Sequence, residues 1–349
     1  PIGSGRYILK QWDKGQQVIF EANPDYYGEK AKIKKVTVLF MDEDAALAAA
    51  MAGQVDVAHT AASLADEKID GYGLLSVTSV DNRGINLPTV KVSEKDGKTV
   101  GNDVTSDVAI RRAMNIGIDR EEMIKNVLNG HGTAAYSVCD KMPWYNEESE
   151  VTYDQKSAKA LLDEAGWKEG KDGIREKDGV RAEFTVMFNP DDSVRQALAE
   201  DFANQCKELG IEVKTEGAGW DVAYDKALSQ PLVWGWGAHT PMELYNIYHT
   251  GTDSDSAEYS PYANETVDHY MDEALQADTL EDSYDLWKKA QWDGTTGVTQ
   301  DGDIPWIWFC NVDHLYYVRD GLKVAEQKIH PHGHGWSIVN NVDQWEWSK

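Results

Sequence analysis

The chain has 349 residues, 41% hydrophobic and 27% charged, a composition that suits a globular protein too long for one small core. Its 60 acidic residues against 34 Lys and Arg leave a formal charge of -26, which excludes a general electrostatic grip on nucleic acid. No apolar run reaches the ~18 residues that a membrane span needs, and the three scattered cysteines, Cys139, Cys206 and Cys310, contain no CxxC, which argues against a disulfide scaffold or zinc ribbon.

The first forty residues alternate as strands do. "RYILKQWDKGQQVIFEANPDYYG" reads as a hairpin turning at Lys14-Gly15, and "KIKKVTVLF" as a third strand. "DEDAALAAAMAGQVDVAHT" predicts an alanine-rich helix capped by Asp42 or Asp44, stopped at Gly53 and followed by a strand, the pattern of an α/β unit. "DVTSDVAIRRAMNIGIDREEMIKNVLNG" predicts two helices, capped by Ser106 or Asp107 and by Asp119, the second ended by Gly130. "YDQKSAKALLDEAGW" is a short amphipathic helix stopped at Gly166. "RAEFTVMFN", the helix of "SVRQALAEDFANQCKELG" and the strand "IEVKTEG" predict a second α/β unit, with Cys206 a buried thiol on the helix. "EDSYDLWKKAQW" is a further helix, and "IPWIWFC" and "HLYYVR" are late strands. Two polar runs, "KVSEKDGKTVGNDVTSD" and "DGTTGVTQDGD", are the expected domain crossings. They predict one domain inserted into another.

The order of these motifs resembles a known family, the extracytoplasmic solute-binding proteins of the peptide and nickel class that serve ABC importers. "GSGRYILKQW" is similar to the family's glycine-rich entry to a strand pair, "EANPDYYG" to its Asn-Pro-Asp-Tyr turn, and "AAMAGQVDVA" to its helix-end segment. "DVAIRRAMNIGIDREEMIKNVLNGHG" resembles its Arg-x-Ala and Ile-Asp-Arg helix pair, with "YDQKSAKALLDEAGW", "LGIEVK" and "YANETVDHYMDEA" following in order. The resemblance implies a two-lobed α/β periplasmic-binding-protein fold, type II-like, one lobe incomplete at its N-terminus, the chain corresponding to the C-terminal two-thirds of a mature protein. Residues 1–104 with 300–349 are then expected to form one lobe and 105–299 the other. An exported monomer is implied, periplasmic or held at the cell surface by a lipid anchor, with membrane permease subunits as partners and no nucleic acid.

With 13 tryptophans and 16 tyrosines, the chain can line a wide cleft with flat rings. The stretch after "LGIEVK", "LVWGWGAHTPMELYNIYHTGTDSD", is where the resemblance places solute-facing residues. Trp234 and Trp236 flank Gly235, and Gly237 lets backbone approach a guest; the alternative is that the tryptophans only cover a sheet face. Peptide-binding members carry an Asp soon after the Trp-Gly pair. Here the positions are Ala238, His239, Thr240 and Pro241, and the nearest acid is Glu243. Nickel-binding members keep Trp-Gly-Ala and carry a His further on; His249 stands similarly but with different spacing, and His239 is an extra candidate. Arg83 is a candidate for facing a carboxylate in bidentate fashion, with Asn86 beside it; Tyr245, Tyr136 and Trp220 complete the candidate substrate-binding set. His330, His332 and His334 alternate in "HPHGHG", as a peripheral metal site or as a turn, because imidazole is a good ligand for Ni(II), Cu(II) and Zn(II).

No GxSxG, HExxH, Walker loop or dinucleotide fingerprint occurs. The expectation is capture without chemistry: no required cofactor, Ni(II) or another transition metal only as cargo, and a nickel chelate or short peptide as the solute. An oligopeptide or dipeptide binder without metal specificity is the alternative, and a secreted glycoside hydrolase a distant one.

Overall fold

The computed structural model describes residues 3–251, 261–332 and 337–348. The chain forms two compact units, Pro1–Ser79 with Asp313–Lys349, and Val80–Val312. The passages therefore fall at Ser79/Val80 and Val312/Asp313, not near 104 and 299. Strand pairing explains the difference: Asn82–Asn86 and Trp306–Val312 lie side by side in one four-stranded sheet, with Val233–Trp234 and Gly132–Ala134 at its edges. The polar run chosen as the first crossing is a small hairpin, Ser93–Lys95 with Lys98–Val100, tied into the larger unit by Gly101 N–H donating to Leu228 O at 2.9 Å.

In the smaller unit, Tyr7–Asp13, Gln17–Ala22 and Lys35–Leu39 form an antiparallel sheet, and Gly15 takes the left-handed turn conformation at φ 72°. Helix Glu43–Met51 follows, its first-turn Glu43 and Asp44 favourable at the positive end of the helix dipole. The next strand, Val57–Thr60, does not rejoin Lys35–Leu39. The late strand His314–Arg319 pairs antiparallel between Val57–Thr60 and Tyr72–Val77, so the predicted strand-helix-strand unit is split between two sheets. All three strands of that second sheet are brought together by contacts distant in sequence, which local patterning does not report.

The larger unit holds the predicted parallel pair. Strands Glu183–Phe188 and Glu212–Gly217 are joined by helix Ser193–Glu208, whose N-terminus is capped by Asp192 accepting from Arg195 N–H at 2.9 Å. Asp107 and Asp119 likewise cap helices Val108–Gly117 and Arg120–Leu128. The second of these ends with Asn129 in the left-handed region, one residue before the expected glycine. Arg120 is buried and acts as a clamp: its guanidinium donates to the carbonyls of Ala135, Trp308 and Asn115 at 2.8–3.0 Å and to Asn115 Oδ1 at 2.7 Å. Burial pulls its pKa down to about 10, still a cation at neutral pH. Much of the tryptophan content lies in the interior: Trp144, Trp167, Trp287, Trp306 and Trp308 are core side chains. Cys139, Cys206 and Cys310 are buried free thiols. Among the described residues no helix is long and apolar enough to cross a membrane.

Candidate functional site

Every residue of the strand Asn82–Asn86 is buried, so each polar group there needs a partner. Asn86 uses both ends of its amide. Its Nδ2 donates to Ala227 O at 3.0 Å, and its Oδ1 accepts from Leu232 N–H at 2.8 Å and Trp234 Nε1 at 3.1 Å. Asn86 is therefore an internal brace and not a solute contact. Asn86→Ala is expected to lower stability by about 3 kcal/mol, because two buried donors and a carbonyl lose their partner. A urea midpoint shifted down with an unchanged slope is the corresponding observation.

Trp234, braced in this way, is interior. Its ring stacks on Trp236 at 5.9 Å and 14° and is flanked by Trp220 at 6.2 Å and Tyr224 at 5.6 Å. Trp220 and Trp236 are partly buried and Tyr224 is exposed, so these three rings present the aromatic face and Trp234 backs it. Trp236 Nε1 is buried and lacks a hydrogen-bond partner among the described residues.

Arg83 lies beside Gly235, where a Cβ would stand 2.5 Å from its Nη1. Its guanidinium pairs with Asp81, and although burial opposes the charge, Asp81 holds its pKa above the usual arginine value. Arg195, which sequence reasoning passed over, pairs with Asp192 and places its guanidinium 5.6 Å from the Trp220 ring. Burial and then the nearby Arg83 lower its pKa. Both Nε atoms, of Arg83 and Arg195, are buried and without a partner among the described residues. The sequence signals were local but not taken up: Asp192 stands three residues before Arg195, and Asp81 two residues before Arg83.

Glu243 is tied to backbone on both carboxylate oxygens. Its Oε1 accepts from Gly237 N–H at 3.0 Å and its Oε2 from Ala238 N–H at 2.7 Å, which holds the Trp-Gly-Ala loop against helix Met242–Tyr248. His239 is exposed. His249 stacks on Tyr245 at 4.3 Å, and its Nε2 lies 3.2 Å from Asp272 Oδ1. Tyr136 lies under the Arg120 guanidinium at 4.8 Å, and burial raises its pKa against that cation. His330 belongs to the smaller unit and is buried, Nδ1 3.0 Å from His314 Nδ1 and Nε2 3.0 Å from Gln327 Oε1; His332 is partly buried, and His334 lies outside the described residues. Among the described residues, no three His, Cys, Asp or Glu side chains converge to hold a metal ion.

These units make the two-lobed α/β fold of periplasmic binding proteins. NikZ from Campylobacter jejuni, solved in complex with Ni(L-His), matches the whole chain with a TM-score of 0.82 at 25% identity, over 69% of its own length. AppA from Bacillus subtilis, solved in complex with a nonapeptide, matches the whole chain with a TM-score of 0.75 at 25% identity, over 67% of its length. Residues 1–258 match the family of bacterial extracellular solute-binding proteins, family 5 (Middle), and the chain belongs to that family, one of binding and transport proteins and not of catalysts. Protein XP55 of Streptomyces lividans is 33% identical over 329 residues, 92% of this chain and 57% of the relative. The oligopeptide-binding protein AppA of Bacillus subtilis is 31% identical over 287 residues, 78% of this chain and 51% of the relative. The chain thus spans about half the length of the curated relatives it matches.

Proposed function

We propose that this protein is the substrate-binding component of an ABC importer. In this reading it takes up a small carboxylate-bearing solute outside the cytoplasmic membrane, a nickel chelate or a short peptide, and delivers it to permease subunits. The observation that carries the reading is one combination in the larger unit: partly exposed tryptophan faces beside two buried guanidiniums whose Nε donors have no partner among the described residues. Buried donors left unmet are costly, and a carboxylate is the acceptor that guanidinium matches best. Flat indole faces suit a solute of varied side chain, because stacking asks for area and not for a hydrogen-bond pattern. The donor set favours a chelate over a bare ion, since a chelate brings its own metal ligands. Relatives support both cargoes: NikZ was solved with Ni(L-His) and AppA with a nonapeptide.

Isothermal titration with Ni(II), Ni(II) with L-histidine, and a mixture of di- to pentapeptides tests this. Binding is expected with the chelate or the peptides and little heat with Ni(II) alone. Trp236→Ala is expected to weaken that binding about tenfold or more, about 1.4 kcal/mol. No binding of either solute, or an unchanged affinity in Trp236→Ala, would remove the proposal. Loss of chelate binding in His249→Ala or His239→Ala alone would move the contact to the histidines.

A further inference from the structure

Asp140 is buried and closes the turn after strand Gly132–Ala134. Its carboxylate accepts from Tyr136 N–H and Ser137 N–H, each at 3.2 Å, and from Asn311 Nδ2 at 3.3 Å. The next carbonyl of the same turn, Val138 O, accepts from Asn82 Nδ2 at 2.9 Å. Asn82 in turn holds Trp236 on both sides: Oδ1 accepts from Trp236 N–H at 3.0 Å, and Asn82 N–H donates to Trp236 O at 2.9 Å. Asn82 and Asn311 are direct partners across the sheet. Hydrogen bonds at either end of the short backbone stretch Ser137–Val138 therefore link the Asp140 carboxylate to the backbone of Trp236.

One end of this path is unfinished. Asn311 Oδ1 is buried and has no hydrogen-bond partner among the described residues. With Asp140 ionised, Asn311 offers its NH₂ group. With Asp140 neutral, the carboxyl O–H is itself a donor, and the matching arrangement turns the Asn311 amide so that Oδ1 accepts. One carboxyl oxygen is then no longer a full acceptor for the turn amides, and the turn that carries Val138 O must adjust. Arg120 faces Asp140 from its helix, its guanidinium occupied by carbonyls; Lys141, exposed, follows it in the chain. Tyr136, Cys139 and Tyr145 face it from its own segment, and Tyr248 from helix Met242–Tyr248.

We propose that Asp140 is a positioning residue for Trp236, and that its gain or loss of a proton, passed through the turn and Asn82, moves the tryptophan wall. Burial pushes the Asp140 carboxyl up to about 7, which places the change in a range the protein can meet. The bonding present, with Asn311 donating, is that of the ionised carboxylate, so the wall as it stands belongs to the higher-pH state. The bearing on solute capture rests on the function proposed above; the link from Asp140 to Trp236 does not.

Tryptophan fluorescence of the solute-free protein, followed from pH 5 to 9, tests the link. A transition centred near neutrality is expected, lost in Asp140→Asn and reduced by half or more in Trp236→Phe. Asn82→Ser leaves Asp140 in place but cuts the path, and is expected to silence the same transition even where Asp140→Asn fails to fold. A transition unchanged in Asp140→Asn, or one that Asn82→Ser and Trp236→Phe leave at full size, overturns the proposal. Titrations with Ni(II)-L-histidine and with the peptide mixture at pH 6 and pH 8 then address capture. Binding is expected to be about fivefold weaker at pH 6 in the wild type and pH-independent in Asp140→Asn. A fluorescence transition without binding of any probe would count against the solute reading alone and leave the link standing.

Discussion

Gly237→Ala is expected to destabilise the larger unit by about 4 kcal/mol or more, and to displace Trp236 with it. Two independent terms lead to this figure. Gly237 has φ +137°, a backbone conformation that residues with a Cβ rarely adopt, at a cost of ~1–3 kcal/mol. A Cβ at this position would also be driven into the carbonyl oxygen of Val80 and lie 3.1 Å from the Cα of Asp81, both backbone atoms that cannot rotate away. Overpacking of this kind costs ~1–3 kcal/mol more. Relief requires the loop to lift, and the loop is held at three places: by Glu243 at Gly237 and Ala238, by Asn82 at Trp236, and by Asn86 at Trp234. Gly219 is the internal control. It begins helix Trp220–Lys226 with φ -63° and has no atom near the position of a Cβ, so Gly219→Ala should cost under about 1 kcal/mol. Urea unfolding of the two variants decides the matter, and equal midpoints would show that Gly237 is dispensable.

The contrast between these glycines also marks how far the sequence could be read. Gly237 was legible as a place of close backbone approach, but what approaches it, the Val80 carbonyl, belongs to a segment about 150 residues away in the chain. The caps of two helices were legible because they are local: Asp107 and Asp119 each accept from an amide two or three residues onward. The parallel unit 183–217 was legible for the same reason, its strands and helix being consecutive. Alternation placed Trp234 and Trp236 on one face of the chain but could not say that Asn86 would bury one and leave the other partly open. Likewise Arg83 was singled out, but its partner Asp81 and its neighbour Arg195 come together only through tertiary packing. The crossing points were misplaced because polar composition marks exposed chain, whereas unit membership follows from which strands share a sheet.

The contribution of Asp140 to stability is expected to fall as pH rises from about 4 to about 7, and Asp140→Asn is expected to remove that fall. Asp140 titrates near 7 when folded, raised by burial, against about 3.9 in an unfolded chain. Between those values the folded protein binds more protons than the unfolded one, so each step upward in pH favours unfolding. Above pH 7 both states are ionised and the dependence on this group ends. The full span corresponds to about 4 kcal/mol. Asparagine mimics the neutral acid: its oxygen can accept from the amides of Tyr136 and Ser137, and its NH₂ can donate to Asn311 Oδ1 once that amide is turned. Asp140→Asn should therefore be more stable than the wild type at pH 8 by about 2–4 kcal/mol and similar to it at pH 4.5. Paired carboxylates act in the opposite sense and in a lower window. Burial opposes the charge on Asp107, but its bonds with Lys177 and the Ala109 amide win and hold its pKa below the usual aspartate value, so its contribution is present above about pH 4 and is lost as pH falls through its folded value. Histidines and these carboxylates are common to both proteins, so the difference between the two urea-midpoint curves isolates Asp140. A difference that stays constant from pH 4.5 to 8 would mean that Asp140 is ionised throughout, and that the turn beneath Trp236 carries a permanent charge.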